Sequence, residues 1–121
     1  MTVLAVIAAG GLGAGLRFIM GATIQRRLAT ELPWPTAIVN TLGSLALGVI
    51  LGTGSHGAAV DVTTGLIAGF TTFSTWMIEA VYLWEEGRGG RHRAVIALLG
   101  PTTVGLLAAA VGFGFGSLLA R

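Results

Sequence analysis

The chain has 121 residues, of which 54% are hydrophobic and only 10% are charged, whereas soluble domains carry roughly 25% charged residues. This composition excludes a water-soluble globular protein and indicates one integral membrane domain over residues 1–121. With no cysteine there is no disulfide, thiol catalysis or cysteine-based metal site. Seven arginines without a lysine form no basic face for nucleic acid, and no enzymatic motif is present.

Four apolar segments follow one another along the chain, and each is predicted to form a transmembrane helix. They cover residues 3–25, 36–52, 58–84 and 94–119. About 20 helical residues are needed to cross the hydrocarbon, so only the second segment is marginal in length. The predicted fold is therefore an all-α bundle of four transmembrane helices.

The arginines predict how these helices are oriented. The segments 26–35 and 85–93, which connect spans one to two and three to four, carry Arg26, Arg27, Arg88, Arg91 and Arg93. The opposite side carries Arg121. Because arginine accumulates in cytoplasmic loops, both connecting segments are predicted to be cytoplasmic, with the protein in the inner (plasma) membrane.

The third apolar segment contains an unusually polar stretch, "AGFTTFSTWMIE" at residues 68–79. Hydroxyl side chains can bond to carbonyls one turn earlier, and Gly69 weakens the helix just before them. A break between Gly69 and Thr72 is therefore predicted, and a membrane tolerates it only inside protein or beside a cavity. The alternative is a continuous helix whose hydroxyls link it to a neighbour.

Aromatic residues recur at every third position in the same stretch, at Phe70, Phe73 and Trp76. Residues three apart share roughly one helix face. The edge of an aromatic ring is electropositive, so such a face could favour an anion in a pore. Plain packing of the rings against a neighbouring helix is the alternative.

Other polar groups stand in the first three spans. Asn40 offers two amide donors to an anion, and Thr36 and Ser44 lie on its helix face at four-residue spacing. An interhelical hydrogen bond is the alternative role for Asn40. Arg17 and Glu79 are costly in lipid, so we expect them to face a water-filled vestibule or each other.

Three motifs, "GGLGAGLRF", "PTAIVNTLGSLALG" and "GFTTFSTWMIE", resemble those of the small bacterial fluoride channels known as the Fluc or CrcB family. The resemblance extends over the whole chain. It implies an antiparallel dimer with two fluoride pores, in which the third helix of each subunit is broken at its centre. The implied function is passive export of cytoplasmic fluoride, which confers fluoride resistance.

The resemblance also implies roles for individual residues. The Asn40 amide would contact fluoride, with Thr36 one turn before it, and the ring edge of Phe73 would touch the ion. Trp76 stands where the family normally has a second Phe. The hydroxyl residues expected to line the break and the pore are Thr71, Thr72, Ser74 and Thr75.

Further positions carry weaker expectations. Glu79 matches an acidic position of the family, and Arg17 matches the basic residue of the first span. The fourth span lacks the family's usual Tyr, and Thr102 and Thr103 are the residues that could replace its polar group. The resemblance implies no organic cofactor, but it implies a structural sodium ion held by backbone carbonyls of Ala68 and Thr71 from both subunits.

Three other interpretations remain open from the sequence. The arginine bias indicates a fixed orientation, so this chain could be one half of a heterodimer with an oppositely oriented paralogue. A small multidrug transporter also has four spans, but it would have to use Glu79 as its proton-exchanging acid. A non-transporting membrane subunit would not depend on Asn40 or Phe73.

Overall fold

The computed structural model describes residues 2–28 and 33–121. The described residues form five α-helices joined by short connections. These are α1 (Thr2–Leu28), α2 (Trp34–Gly52), α3 (Ala58–Phe70), α4 (Ser74–Glu85) and α5 (Arg88–Leu119). By length and composition, α1, α2, α5 and the combined segment Ala58–Glu85 can each cross a membrane. The predicted all-α architecture with four spanning segments is confirmed.

The five arginines of the two predicted connecting segments lie at helix ends, although the sequence placed them in loops. Arg26 and Arg27 occupy the last turn of α1, where positive charge complements the helix dipole. The first turns of α5 hold the others, with Arg91 stacked on Trp84 at 5.4 Å and Arg93 paired with Glu86. Residues 29–32 of the first predicted cytoplasmic segment lie outside the described residues.

Glycines allow two pairs of helices to approach closely. A Cβ atom added to Gly13 of α1 would overlap the backbone of Leu66 in α3, and one added to Gly69 would overlap the Gly10 carbonyl. In the same way, α2 and α5 meet where Gly48 faces the backbone of Ala109. Small residues are the usual means of close helix packing in a membrane, so these glycines set the α1–α3 and α2–α5 contacts.

The surface left by this packing is strongly apolar. Leu4 is 73% exposed, Phe18 is 77% exposed and Leu106 is 69% exposed. Val39, at 1%, is the one large side chain among the described residues that is fully buried. An apolar surface of this extent is unsuited to water and matches the lipid environment that the composition predicts.

The third apolar segment consists of two helices with three residues between them, 71–73. The last helical bond of α3 runs from the Thr71 N–H to the Ile67 carbonyl at 3.0 Å, and Thr71 itself is extended, with φ −80° and ψ 161°. The sequence placed the break from Gly69 onward, but Gly69 is helical. Its contact with the Gly10 backbone keeps it in α3 despite its weak helix propensity.

Candidate functional site

The centre of the candidate site is the backbone of Thr72, whose N–H and carbonyl both bond to the side chain of Asn40 in α2. The Asn40 amide nitrogen donates to the Thr72 carbonyl at 2.7 Å, and the Thr72 N–H donates to the Asn40 amide oxygen at 2.8 Å. In an unbroken helix that N–H would bond to the Ala68 carbonyl. Asn40 therefore replaces helix bonds lost at the break, and its amide keeps a second N–H that these two bonds do not use.

The neighbouring residue, Thr71, is bonded to a side chain of α1. Its carbonyl accepts a hydrogen bond from the Arg17 guanidinium at 3.2 Å. In a continuous helix this carbonyl would pair with the Thr75 N–H, which instead donates to the Thr72 hydroxyl at 3.4 Å. Side chains from α1 and α2 thus satisfy a backbone that would otherwise be costly to leave unbonded in a membrane.

Two cavities have Thr72 as a common lining residue. The first has a volume of about 470 Å³ and is lined by Asn40, Ser44, Thr72, Phe73 and Trp76, among others. The second has a volume of about 380 Å³. Its polar lining residues are Arg17, Gln25, Thr36, Thr72, Thr75 and Glu79. Thr72 lines both cavities, so the two cavities adjoin at the break.

Arg17 and Glu79 line the same second cavity. The sequence predicted that they face a vestibule or each other. Thr36, only 7% exposed, donates its hydroxyl to Glu79 Oε1 at 2.8 Å. Glu79 Oε2 is buried and accepts no hydrogen bond from the described part of the chain.

Thr36→Val is expected to destabilise the protein by about 1 to 3 kcal/mol, because it removes a donor to a buried carboxylate that already has one unbonded oxygen. Thr36→Ser keeps the hydroxyl and is the matched control, expected to lose less than half as much. The measurement is unfolding in mixed micelles of increasing SDS fraction, followed by far-UV circular dichroism. Equal losses in both variants would show that the Thr36 methyl group matters rather than the hydrogen bond.

The aromatic residues occupy different environments. Phe73 is 69% exposed and meets Trp76 edge to face, with ring centroids 5.8 Å apart and planes at 80°. The Trp76 indole N–H donates to the Ala97 carbonyl of α5 at 2.8 Å. Phe70 lines neither cavity and instead lies near Gly43 of α2. The three-residue spacing therefore brings Phe73 and Trp76 together at the site and leaves Phe70 in helix packing.

The remaining hydroxyl residues divide in the same way. Thr75 lines the second cavity and accepts a hydrogen bond from the Thr72 hydroxyl at 3.3 Å, whereas Ser74 lines neither cavity. Thr102 lines the first cavity, but its hydroxyl bonds within α5 to Leu98 at 2.6 Å. Thr103 bonds to Leu99 at 2.9 Å and lines neither cavity.

The sequence offered an interhelical hydrogen bond as one role for Asn40, but it named none of the hydrogen-bond partners found at the site. The backbone of Thr72 as the partner of Asn40 depends on how α2 crosses the break, and no residue pattern encodes that crossing. The Ala97 carbonyl as the partner of Trp76 does have a signal, since Pro101 follows it by four residues and cannot donate to it.

Comparison with known proteins settles the family. The family model described as CrcB-like protein, Camphor Resistance (CrcB), matches residues 4–113. This chain belongs to the CrcB family. The membership confirms the resemblance carried by the three motifs, and it favours neither the multidrug transporter nor the non-transporting subunit.

Curated relatives of the CrcB-family chain carry a common name. "Fluoride-specific ion channel FluC 1" of Rubrobacter xylanophilus is 41% identical, covering 88% of this chain and 86% of the relative. "Fluoride-specific ion channel FluC" of Rhodospirillum centenum is 39% identical, covering 78% and 80% respectively. A protein of the same name from Thermus thermophilus is 36% identical, covering 91% and 89%.

Proposed function

We propose that this chain is a fluoride-selective ion channel, not an enzyme, that exports cytoplasmic fluoride passively and confers fluoride resistance. The observation that carries the proposal is the chain's membership in the CrcB family. Its relatives are named fluoride-specific ion channels, and they match it over most of their length. The membrane potential, negative inside, drives an anion outward by about 2.3 kcal/mol per charge per 100 mV. Export then needs no other energy source.

The break supplies what a small, strongly hydrated anion requires, which is several donors fixed close together. The unused N–H of Asn40, the hydroxyl of Thr75 and the electropositive edge of Phe73 replace water around fluoride as it passes the break, whereas the Thr72 hydroxyl already donates to Thr75. Donors that bear no full charge bind the ion weakly enough for release. Arg17 does not act as a free positive charge at the break, because its guanidinium bonds to the Thr71 carbonyl and Glu79 lines the same cavity.

The working channel in this proposal is a dimer of opposed subunits. A homodimer requires the same chain to insert in both orientations, which the arginine bias opposes. We therefore favour a heterodimer with an oppositely oriented paralogue, with this chain's segments 26–35 and 85–93 in the cytoplasm of the inner membrane. Numbered names among the relatives, FluC 1 in one organism and FluC 2 in another, suggest that paralogues occur in the family.

A structural sodium ion belongs to the same proposal, and the carbonyls at the break partly fit it. The Thr72 N–H, which would bond to the Ala68 carbonyl in a continuous helix, donates to Asn40 instead. Among the bonds described for it, the Ala68 carbonyl accepts only the Thr71 hydroxyl, at 3.2 Å. Carbonyl oxygens at the end of a half-helix are suitable ligands for sodium. The Thr71 carbonyl keeps one lone pair beside its bond to Arg17, so Ala68 is the stronger ligand of the two.

The test is fluoride efflux from proteoliposomes, measured with a fluoride electrode, for this chain alone and together with its paralogue. The heterodimer proposal predicts efflux that is at least about tenfold faster with the paralogue, because a single inserted orientation cannot complete the pore. Chloride efflux from the same vesicles is the control and should stay at the level of empty liposomes. No fluoride efflux in either preparation would refute the channel function, and full efflux from this chain alone would refute the heterodimer.

A further inference from the structure

Pro101 leaves a carbonyl without its helical partner inside the membrane. It lies within α5, which continues as a helix from Arg88 to Leu119. Because proline has no N–H, it cannot donate to the carbonyl of Ala97 four residues earlier. Ala97 is only 6% exposed, so this carbonyl needs a partner from elsewhere in the protein.

Trp76 supplies that partner from the neighbouring helix. Its indole N–H donates to the Ala97 carbonyl at 2.8 Å, across the contact between α4 and α5. An indole has this one donor and no acceptor. The bond therefore uses the whole polar capacity of Trp76 and leaves only its aromatic surface for the first cavity, which Trp76 and Pro101 both line.

The position of the indole bears directly on Phe73. Phe73 is 69% exposed, and its one described ring contact is the edge-to-face contact with Trp76. A ring with so little surrounding protein is free to change rotamer unless a fixed neighbour restrains it. Trp76 is such a neighbour, since its own orientation is fixed by the bond to α5.

We propose that Trp76 is a positioning residue, anchored by the carbonyl that Pro101 exposes, and that it holds Phe73 in the orientation that discriminates fluoride from chloride. Trp76 and Pro101 are thus a matched pair: Trp76 bonds the carbonyl that Pro101 leaves free, and that carbonyl gives the buried indole N–H its acceptor. The effect on ion discrimination rests on the proposed channel function, whereas the pairing itself does not.

The pairing is tested by a double-mutant cycle on stability, measured by SDS unfolding and circular dichroism. Trp76→Phe should lower the folding equilibrium constant by roughly threefold, the typical effect of an interhelical hydrogen bond in a membrane. Combined with Pro101→Ala the same change should cost almost nothing, because residue 101 then supplies its own N–H to Ala97. Trp84→Phe, on the same helix, is the matched control and should cost the same in both backgrounds. Equal costs for Trp76→Phe in the two backgrounds would overturn the pairing.

The positioning role is tested by a replacement that removes only the N–H. A tryptophan analogue with sulfur in place of that N–H keeps the ring size and can be introduced at position 76 by nonsense suppression. Its fluoride-to-chloride efflux ratio should fall, and Pro101→Ala should restore its stability but not this ratio. An unchanged ratio would overturn the positioning role. If the unmodified protein passes no fluoride either alone or with its paralogue, the channel function is refuted. The stability cycle still tests the Trp76–Pro101 pair in that case.

Discussion

Asn40→Ala is expected to reduce fluoride efflux by about 100-fold. The substitution removes a donor to the ion and leaves the N–H and carbonyl of Thr72 without partners, which together cost about 3 kcal/mol. The break then loses the side chain that fixes it to α2, so the other donors at Thr75 and Phe73 lose their common geometry. Efflux from proteoliposomes containing whichever dimer conducts is the measurement.

Two further variants separate the possible causes of that loss. Ser44→Ala, one turn along α2 and also on the first cavity, is the control and should change efflux less than about threefold, since Ser44 is only half-buried and a typical hydroxyl hydrogen bond contributes little. Asn40→Asp keeps the acceptor for the Thr72 N–H but puts a negative charge where the anion passes, so it should be as inactive as Asn40→Ala. Near-normal efflux in Asn40→Ala would contradict the site described above.

Gly112→Ala is expected to destabilise the protein by about 1 to 3 kcal/mol. A Cβ at Gly112 would overlap the Leu45 carbonyl and approach the Val49 nitrogen of α2. These are backbone atoms, so the contact is relieved only by moving the helices apart. Unfolding in SDS-containing micelles, followed by circular dichroism, gives the loss.

Gly114→Ala is the matched control two residues later in the same helix. Apart from its own helix backbone, no atom of the described residues lies within 4 Å of a Cβ added there, and alanine is the better helix former by about 0.5 to 1 kcal/mol. The two substitutions should therefore have opposite signs. A loss at Gly114 as large as the loss at Gly112 would show that helix propensity or a further contact, rather than the α2–α5 approach, governs both positions.

The geometry of the break suggests how selectivity can be built from uncharged groups. Arg17 holds Thr71 and Asn40 holds Thr72, so the backbone at the break is fixed by side chains from two other helices. Donors fixed in advance do not have to be reorganised when the ion loses its water. An interrupted helix is in this way a rigid element rather than a flexible one.

Much of this protein could be read from local patterns. Hydropathy alone identified four spans, because an apolar segment of about 20 residues has no other stable place than a bilayer. The motifs around Asn40 and Phe73 were specific enough to identify the family. The placement of Arg17 and Glu79 at one cavity also followed from the sequence, since charged groups in lipid are driven to share a polar space.

Other features depended on contacts between helices that are distant in sequence. Gly69 stays helical because Gly10 packs against it, so the break begins later than local propensity indicates. Phe70 precedes Phe73 by three residues but packs between helices instead of lining the site. Because α3 ends at Phe70, the two rings do not share one helix face. Trp76 finds its partner on α5 because a proline 25 positions later frees a carbonyl at the right height. Local pattern thus determines which residues are polar, aromatic or small, and the crossing of the helices determines which of them meet.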